Sequence, residues 1–248
     1  MRYFVHLAYH GKNYHGWQKQ PNASSVQEEI EQKISILLSE PTEVVGCGRT
    51  DTGVHARSYY LHFDAHKTLD PVQFAYKLNA LLPKDISIYE VFEVQEEAHA
   101  RFDAISRSYE YHIHTLPNPF THELSLLYTH TLDVAAMNEA AALLLTHTDF
   151  ECFSKVHTDV KTFNCKITHA HWDYLTPHQL VFSITADRFL RNMVRAIVGT
   201  LLDVGKGKIS VQTVTEILAS KNRSKAGESV AAHGLFLTEI IYPNSLRK

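Results

Sequence analysis

Apolar residues in this chain recur with two different periods, and the way the periods are interleaved restricts the fold. Tyr3, Val5, Leu7 and Tyr9 alternate over residues 2–9, with apolar Phe4 and Ala8 between them, which predicts a buried strand. Val26, Ile30, Ile34, Leu37 and Leu38 instead form one helical stripe, opened by Ser25 and Glu28 in capping-box spacing and closed by Pro41. Val44–Cys47 and Ser58–Phe63 read as strands, Asp70-Pro71 opens a helix with Phe74, Leu78 and Leu81 on one face, and Ile86–Val94 alternates again. The order then restarts: a strand over 106–114, an alanine-rich helix over 133–145, and strands over 163–174 and 179–187. An amphipathic helix over 190–202, a helix capped by Ser210 and a strand over 235–242 complete it.

Strands and helices that mix without strict alternation predict an α+β fold with a mixed, largely antiparallel sheet. The two runs of one pattern predict two related halves, residues 1–104 and 105–248, with a cleft between them as the natural place for a site. At 248 residues, 44% of them hydrophobic and 21% charged, the chain can bury a core in either arrangement. No apolar run approaches the roughly 18 residues that span a bilayer, so no membrane segment is expected. The N-terminus reads as a strand rather than a signal peptide. Three cysteines, Cys47, Cys152 and Cys165, without Cys-x-x-Cys spacing, fit neither a disulfide framework nor a thiolate zinc site; a reducing, cytoplasmic compartment is expected. A net charge of −3 neither demands nor excludes nucleic acid.

Chemistry concentrates in three segments. In Gly46-Cys47-Gly48-Arg49-Thr50-Asp51-Thr52-Gly53-Val54-His55-Ala56-Arg57, glycines free the backbone for a tight path around one aspartate. Arg49 and Arg57 flank it, with His55 between. Such a bend can present a carboxylate beside phosphate-binding arginines, and a nearby guanidinium holds it ionised, as a nucleophile requires. Alone, the segment also reads as an ordinary hairpin turn. The second segment, Ala98–Asp103, runs into a strand where Tyr109 and Tyr111 share a face; tyrosines there can stack on an extruded base or simply cover a sheet. In the third, Arg188, Arg191 and Arg195 recur at helical spacing, a phosphate-binding side or a solvated face. Arg195 borders the apolar stripe and calls for an acidic partner, with Asp51 a candidate.

The His-x-His pairs, His112 with His114 and His169 with His171, have metal-ligand spacing but no supporting His-Glu-x-x-His or cysteines. Phosphate-cradling loops and nucleophile elbows are likewise missing from the sequence, so a reaction with no cofactor and no metal is expected. A non-catalytic RNA-binding protein and a histidine-metal hydrolase are the rival readings.

Together these segments resemble the TruA family of tRNA pseudouridine synthases. The similarity is carried by Gly48-Arg49-Thr50-Asp51-Thr52-Gly53-Val54-His55-Ala56, by Tyr14–Gln20, by Asn79–Ile86 and by His99-Ala100-Arg101-Phe102. Phe189-Leu190 with Met193-Val194-Arg195, and Gly234–Leu237, extend it to nearly the whole chain. Thr52 stands where the family usually has alanine, and Ala231–Gly234 replaces a stretch that commonly contains Ala-Pro. The resemblance implies a homodimer acting on uridines at positions 38, 39 and 40 in the anticodon stem-loop of tRNA. It implies Asp51 as nucleophile, Tyr109 against the flipped base, Arg195 paired with Asp51, and Leu235 packed on the base. Arg49, His55, Arg57 and Arg101 are expected to bind substrate.

Overall fold

The computed structural model describes residues 1–156 and 160–248. In chain order its main elements are β1 (Arg2–Tyr9), α1 (Val26–Leu38), β2 (Val45–Gly46), β3 (His55–Asp64), α2 (Pro71–Leu81), β4 (Ile86–Val94) and β5 (Ser106–His114). They continue as β6 (Leu126–Leu127), α3 (Val134–Leu143), β7 (Ile167–Thr176), β8 (Gln179–Ala186), α4 (Met193–Gly205), α5 (Val211–Ser220) and β9 (Leu235–Ile241). The chain forms two compact units, Met1–Ser106 with Phe236–Lys248, and Arg107–Leu235.

In the first unit β1 lies between β3 and β4 and is antiparallel to both. The short β2 is antiparallel to β3, and β9 joins β3 in parallel, with His55 opposite Phe236. One sheet face, with Tyr3, Val5, Leu7, Tyr59, Leu61 and Phe63, is buried together with Ile30 and Ile34 of α1 and Phe74 and Leu78 of α2. Phe63 stacks on Phe74 with ring centroids 5.6 Å apart. The helix starts follow from local chemistry: Ser25 Oγ accepts the Glu28 amide, and Asp70 accepts those of Val72 and Gln73 ahead of a first-turn proline. Leu81, expected on the buried face of α2, is 41% exposed; the helix ends there, and extended Leu82 turns inward in its place.

In the second unit β8 lies between β5 and β7, antiparallel to both, and β6 adds two residues parallel to β5. Both units are therefore mixed α and β, with mostly antiparallel pairing. The expected strand over 163–174 begins at Ile167, because residues 163–165 bond back to Thr148 and Phe150 instead. A larger difference concerns the helix expected over 190–202. Asn192 adopts a left-handed conformation (φ 66°) and delays α4 to Met193, so Arg188 and Arg191 lie on an irregular lead-in and do not share a helical side with Arg195. The helix is amphipathic as expected, but its polar side does not face water: every residue of α4 except Arg195 is buried. The segment around Gly227 and Glu228 lies against the side expected to face water, with the Gly227 amide donating to Thr200 Oγ1 at 2.8 Å.

The C-terminal segment returns to the first unit through β9 and through ion pairs of Arg247 with Glu90 and Lys248 with Glu93 on β4. A single division of the chain near residue 104 does not contain this return. The three cysteines are buried and unbridged. No described helix is long and apolar enough to cross a membrane.

On the sheet face opposite the helices, His62 Nδ1 accepts the Ala100 amide at 3.1 Å, which requires an unprotonated nitrogen. Burial, reinforced by the Arg2 charge, holds the His62 pKa down to about 4. The unfolded chain takes the proton near its ordinary value of about 6.5, so folded stability is complete above that value and falls as pH drops toward 4. Urea unfolding from pH 7 to 4 is expected to lose roughly 2 kcal/mol through this group. His62→Gln, which supplies a non-titrating acceptor, should remove that part of the pH slope; an unchanged slope would exclude His62 as its source.

Candidate active site

β2 ends at Gly46 and β3 starts at His55, so Asp51 lies at the far end of the connection. The turn closes when Val54 N donates to the Asp51 carbonyl at 3.1 Å, and Gly53 occupies the position that needs a positive φ, here 78°. The bend is also held from outside itself. Trp17 N donates to the Thr50 carbonyl and Gly53 N donates to the Tyr14 carbonyl, each at 3.3 Å, so the backbone on both sides of Asp51 is tied to residues 14–17. The approach is close: Gly16 has φ 90°, and a Cβ there would fall 2.3 Å from the Thr50 carbonyl oxygen. Tyr9 and Thr50 share a hydroxyl hydrogen bond at 2.9 Å, and Tyr59 donates to the Gly48 carbonyl. Beneath the bend the buried rings of Trp17 and Tyr59 stack at 4.1 Å.

Asp51 is half-buried, and Arg49 and Arg57 are exposed on either side. His55 behaves differently. It is 1% exposed, its Nδ1 accepts the Gly11 amide at 3.0 Å, and its ring lies between Phe236 (4.7 Å) and His10 (4.4 Å). That acceptor role assigns its proton to Nε2 and makes it part of the frame under the bend. The Arg57 guanidinium lies over Phe236, 4.6 Å from the ring centre. A shallow depression of about 220 Å³ lies beside these residues, lined among others by His10, Arg57, Lys84, Tyr89 and Phe236. Basic and aromatic groups of this kind suit phosphates and base edges.

Reading the residues alone did not find Asp85. Its carboxylate accepts the Tyr14 hydroxyl at 2.6 Å and the Asn13 side-chain amide at 3.0 Å, and its carbonyl accepts the His10 amide at 2.8 Å. Burial, with Asp85 adding to it, raises the Tyr14 phenol above its ordinary pKa. Asp85 thereby anchors the segment that holds the bend. Tyr14 and Asp85 both fall in stretches that carry the family resemblance, but nothing local links residues 71 positions apart.

The remaining expected site residues lie on other elements. Arg101 is exposed on the segment before β5. In the second unit Tyr109 of β5 is half-buried and meets Phe189 edge-on at 5.1 Å. Tyr111 is fully buried, donates to the Ala231 carbonyl at 2.8 Å and has its pKa raised by burial, so it belongs to the core. Arg195 is half-buried; its Nε donates to the Val230 carbonyl at 2.7 Å while Val230 N donates to the Arg195 carbonyl at 3.2 Å. Leu235 is buried at the start of β9. His112 is engaged by Glu110 at 2.9 Å and His114 by Ser125 at 3.0 Å. Among the described residues no three His, Cys, Asp or Glu side chains are grouped to hold a metal ion.

A family model described as tRNA pseudouridine synthase matches residues 6–103 and 140–243, which include the bend, the segment that ties it down, Asp85 and the start of α4. The chain belongs to the tRNA pseudouridine synthase family. It is 52% identical to tRNA pseudouridine synthase A of Parabacteroides distasonis over 246 residues, covering 99% of this chain and 97% of the relative. It is also 52% identical to the protein of that name from Porphyromonas gingivalis, at 99% and 98% coverage. The more distant Syntrophomonas wolfei protein of that name is 41% identical, with 96% of each chain covered. Family membership thus extends over essentially the full length of both units.

The frame around Asp51 makes a testable demand. Tyr14→Phe strands a carboxylate oxygen of Asp85 and should destabilise the protein by about 1–3 kcal/mol. Gly16→Ala, forced into a positive φ against the Thr50 carbonyl, should cost at least as much. Denaturant unfolding measures both, and a Gly16→Ala protein as stable as the parent would refute the close packing.

Proposed function

We propose that this synthase isomerises uridine to pseudouridine in the anticodon arm of tRNA, with Asp51 as the nucleophile. The observation that carries the reading is the Asp51 bend: one carboxylate at the apex of a turn whose backbone is bonded on both sides, flanked by exposed arginines, inside the family match. The reaction breaks the glycosidic carbon–nitrogen bond, turns the uracil, and joins the same sugar carbon to C5 of the ring. The C5 proton leaves to solvent and the freed ring nitrogen ends protonated. Nothing is oxidised and no group is added, so the reaction balances without a cofactor.

The residue types fit each requirement. An ionised carboxylate supplies the nucleophile, and preorganisation of its backbone spares reordering at the moment of reaction. The target base must leave its stack at a cost of a few kcal/mol, which stacking and phosphate contacts offset. Arg49, Arg57 and Arg101 serve as phosphate ligands, Tyr109, Arg195 and Leu235 as further substrate-binding residues, and His55 as a positioning residue. The enzyme would act in the cytoplasm as a homodimer.

The test is incubation of the purified protein with unmodified tRNA, without cofactors and in excess EDTA, followed by chemical mapping of pseudouridine. Modification in the anticodon arm is expected. Asp51→Asn should lower turnover by about three orders of magnitude or more while leaving tRNA affinity within about threefold. Wild-type turnover in that variant would eliminate Asp51 as nucleophile. Tight binding with no modification of any tRNA would make the protein an RNA-binding protein instead. Affinity should also fall steeply with salt, because phosphate contacts release counterions.

A further inference from the structure

The segment Ala98–Asp103 is fixed on all sides and yet leaves a large apolar ring in water. His99 N donates to Asp103 Oδ2 at 2.7 Å, and Asp103 N donates back to the His99 carbonyl at 3.1 Å. His99 Nδ1 accepts the amides of both Arg101 (3.1 Å) and Phe102 (3.3 Å). From below, His62 takes the Ala100 amide, Tyr242 donates to the Ala100 carbonyl, and Arg2 donates to the Ala98 carbonyl at 2.9 Å. Ala98 and Ala100 are buried. Residues from β1, β3 and the C-terminal segment therefore set the position of a short knuckle that has no core of its own.

That knuckle presents Phe102, 73% exposed, and beside it exposed Arg101, whose guanidinium carbon lies 5.6 Å from the ring centre. The His99 ring leans against Phe102 at 4.3 Å and steadies it. Leaving a phenyl ring in water forgoes hydrophobic stabilisation, and a single exposed ring is ordinary on a protein surface, as Tyr76 on α2 shows; what sets Phe102 apart is the fixed knuckle and the guanidinium beside it. Phe120 is also exposed, but the bonds that hold its segment among the described residues are short-range turn bonds, such as those from the Phe120 and Thr121 amides to Asn118.

We infer that Phe102 is a stacking platform for a nucleobase of the bound RNA, with Arg101 engaging a neighbouring phosphate. The identity of the RNA as tRNA rests on the function proposed above; the platform itself rests on the knuckle. A preset ring loses little conformational entropy on binding, and every base has a π-face to offer it. The adjacent guanidinium supplies the charge that a polyanion needs and an apolar protein partner does not.

The experiment measures binding of unmodified tRNA at fixed salt by wild-type protein and by Phe102→Ala, Phe102→Leu, Phe102→Tyr and Phe102→Trp. Stacking predicts that Ala and Leu each weaken binding about tenfold, whereas Tyr and Trp stay within about twofold of wild type. Trp17 and Trp172 are buried and shielded from contact with RNA, so the emission of Phe102→Trp in excess of wild type, measured with absorbance correction, reports the new indole; that excess should be quenched by tRNA and not by heparin, a polyanion without bases. Wild-type affinity in Phe102→Ala overturns the inference, and so does full affinity in Phe102→Leu, which would mean that apolar area alone suffices. Loss of self-association in Phe102→Ala at unchanged tRNA affinity overturns it too, by assigning the ring to a second copy of the chain. Pseudouridine formation by wild type, followed in parallel, separates the two readings. An inactive wild type with the aromatic pattern intact sinks the proposed activity alone; an active wild type indifferent to Phe102 sinks the platform alone.

Discussion

The pairing of residues 14–17 with the two sides of the Asp51 bend is the contact on which the candidate site depends. An aspartate nucleophile must be ionised, reachable and held still. A connection between strands on its own would satisfy only the first two, because each residue left free carries roughly 1–2 kcal/mol of backbone entropy. Here the Thr50 carbonyl and the Gly53 amide find backbone partners in Trp17 and Tyr14, and Gly16 permits the contact by having no side chain where the two chains meet. Trp17 and Tyr59 fill the space below. The arrangement exists because β1 is central: the chain leaving β1 passes under the start of β3, and the neighbour on the other side, β4, brings Asp85 to Tyr14 and Asn13.

The second unit meets a related problem, a guanidinium on an otherwise buried helix. Arg195 is the one residue of α4 that is not buried, and its Nε and carbonyl are clamped by both backbone groups of Val230. The same segment covers the rest of the helix through Gly227 and Glu228, where a larger residue at Gly199 would collide with the Glu228 carbonyl. One stretch of irregular chain thus covers the helix and holds its arginine.

The end of the chain also serves the beginning. Phe236 enters beside β3 in parallel, opposite His55, and supplies the surface on which the His55 ring and the Arg57 guanidinium rest. Tyr242 and Arg2, from opposite ends of the chain, anchor the knuckle that carries Arg101 and Phe102. The bend and the knuckle of the first unit are therefore supported by residues remote in sequence, from β1, β3 and the C-terminal segment.

The sequence by itself determined the elements and the position of the carboxylate. Periods of two and 3.6, together with Ser25, Asp70 and Ser210 at helix starts, act within a few residues, and each produced the element it predicts. The glycines around Asp51 made its bend legible for the same reason. Only the tertiary structure decided that α4 is covered on every side, that Arg188 and Arg191 leave its surface, that His55 is frame rather than surface, and that Tyr14 meets Asp85. Those outcomes depend on which segment lands on which, and that choice is made by burial and by hydrogen bonds between residues tens of positions apart, whose pairing no local pattern encodes.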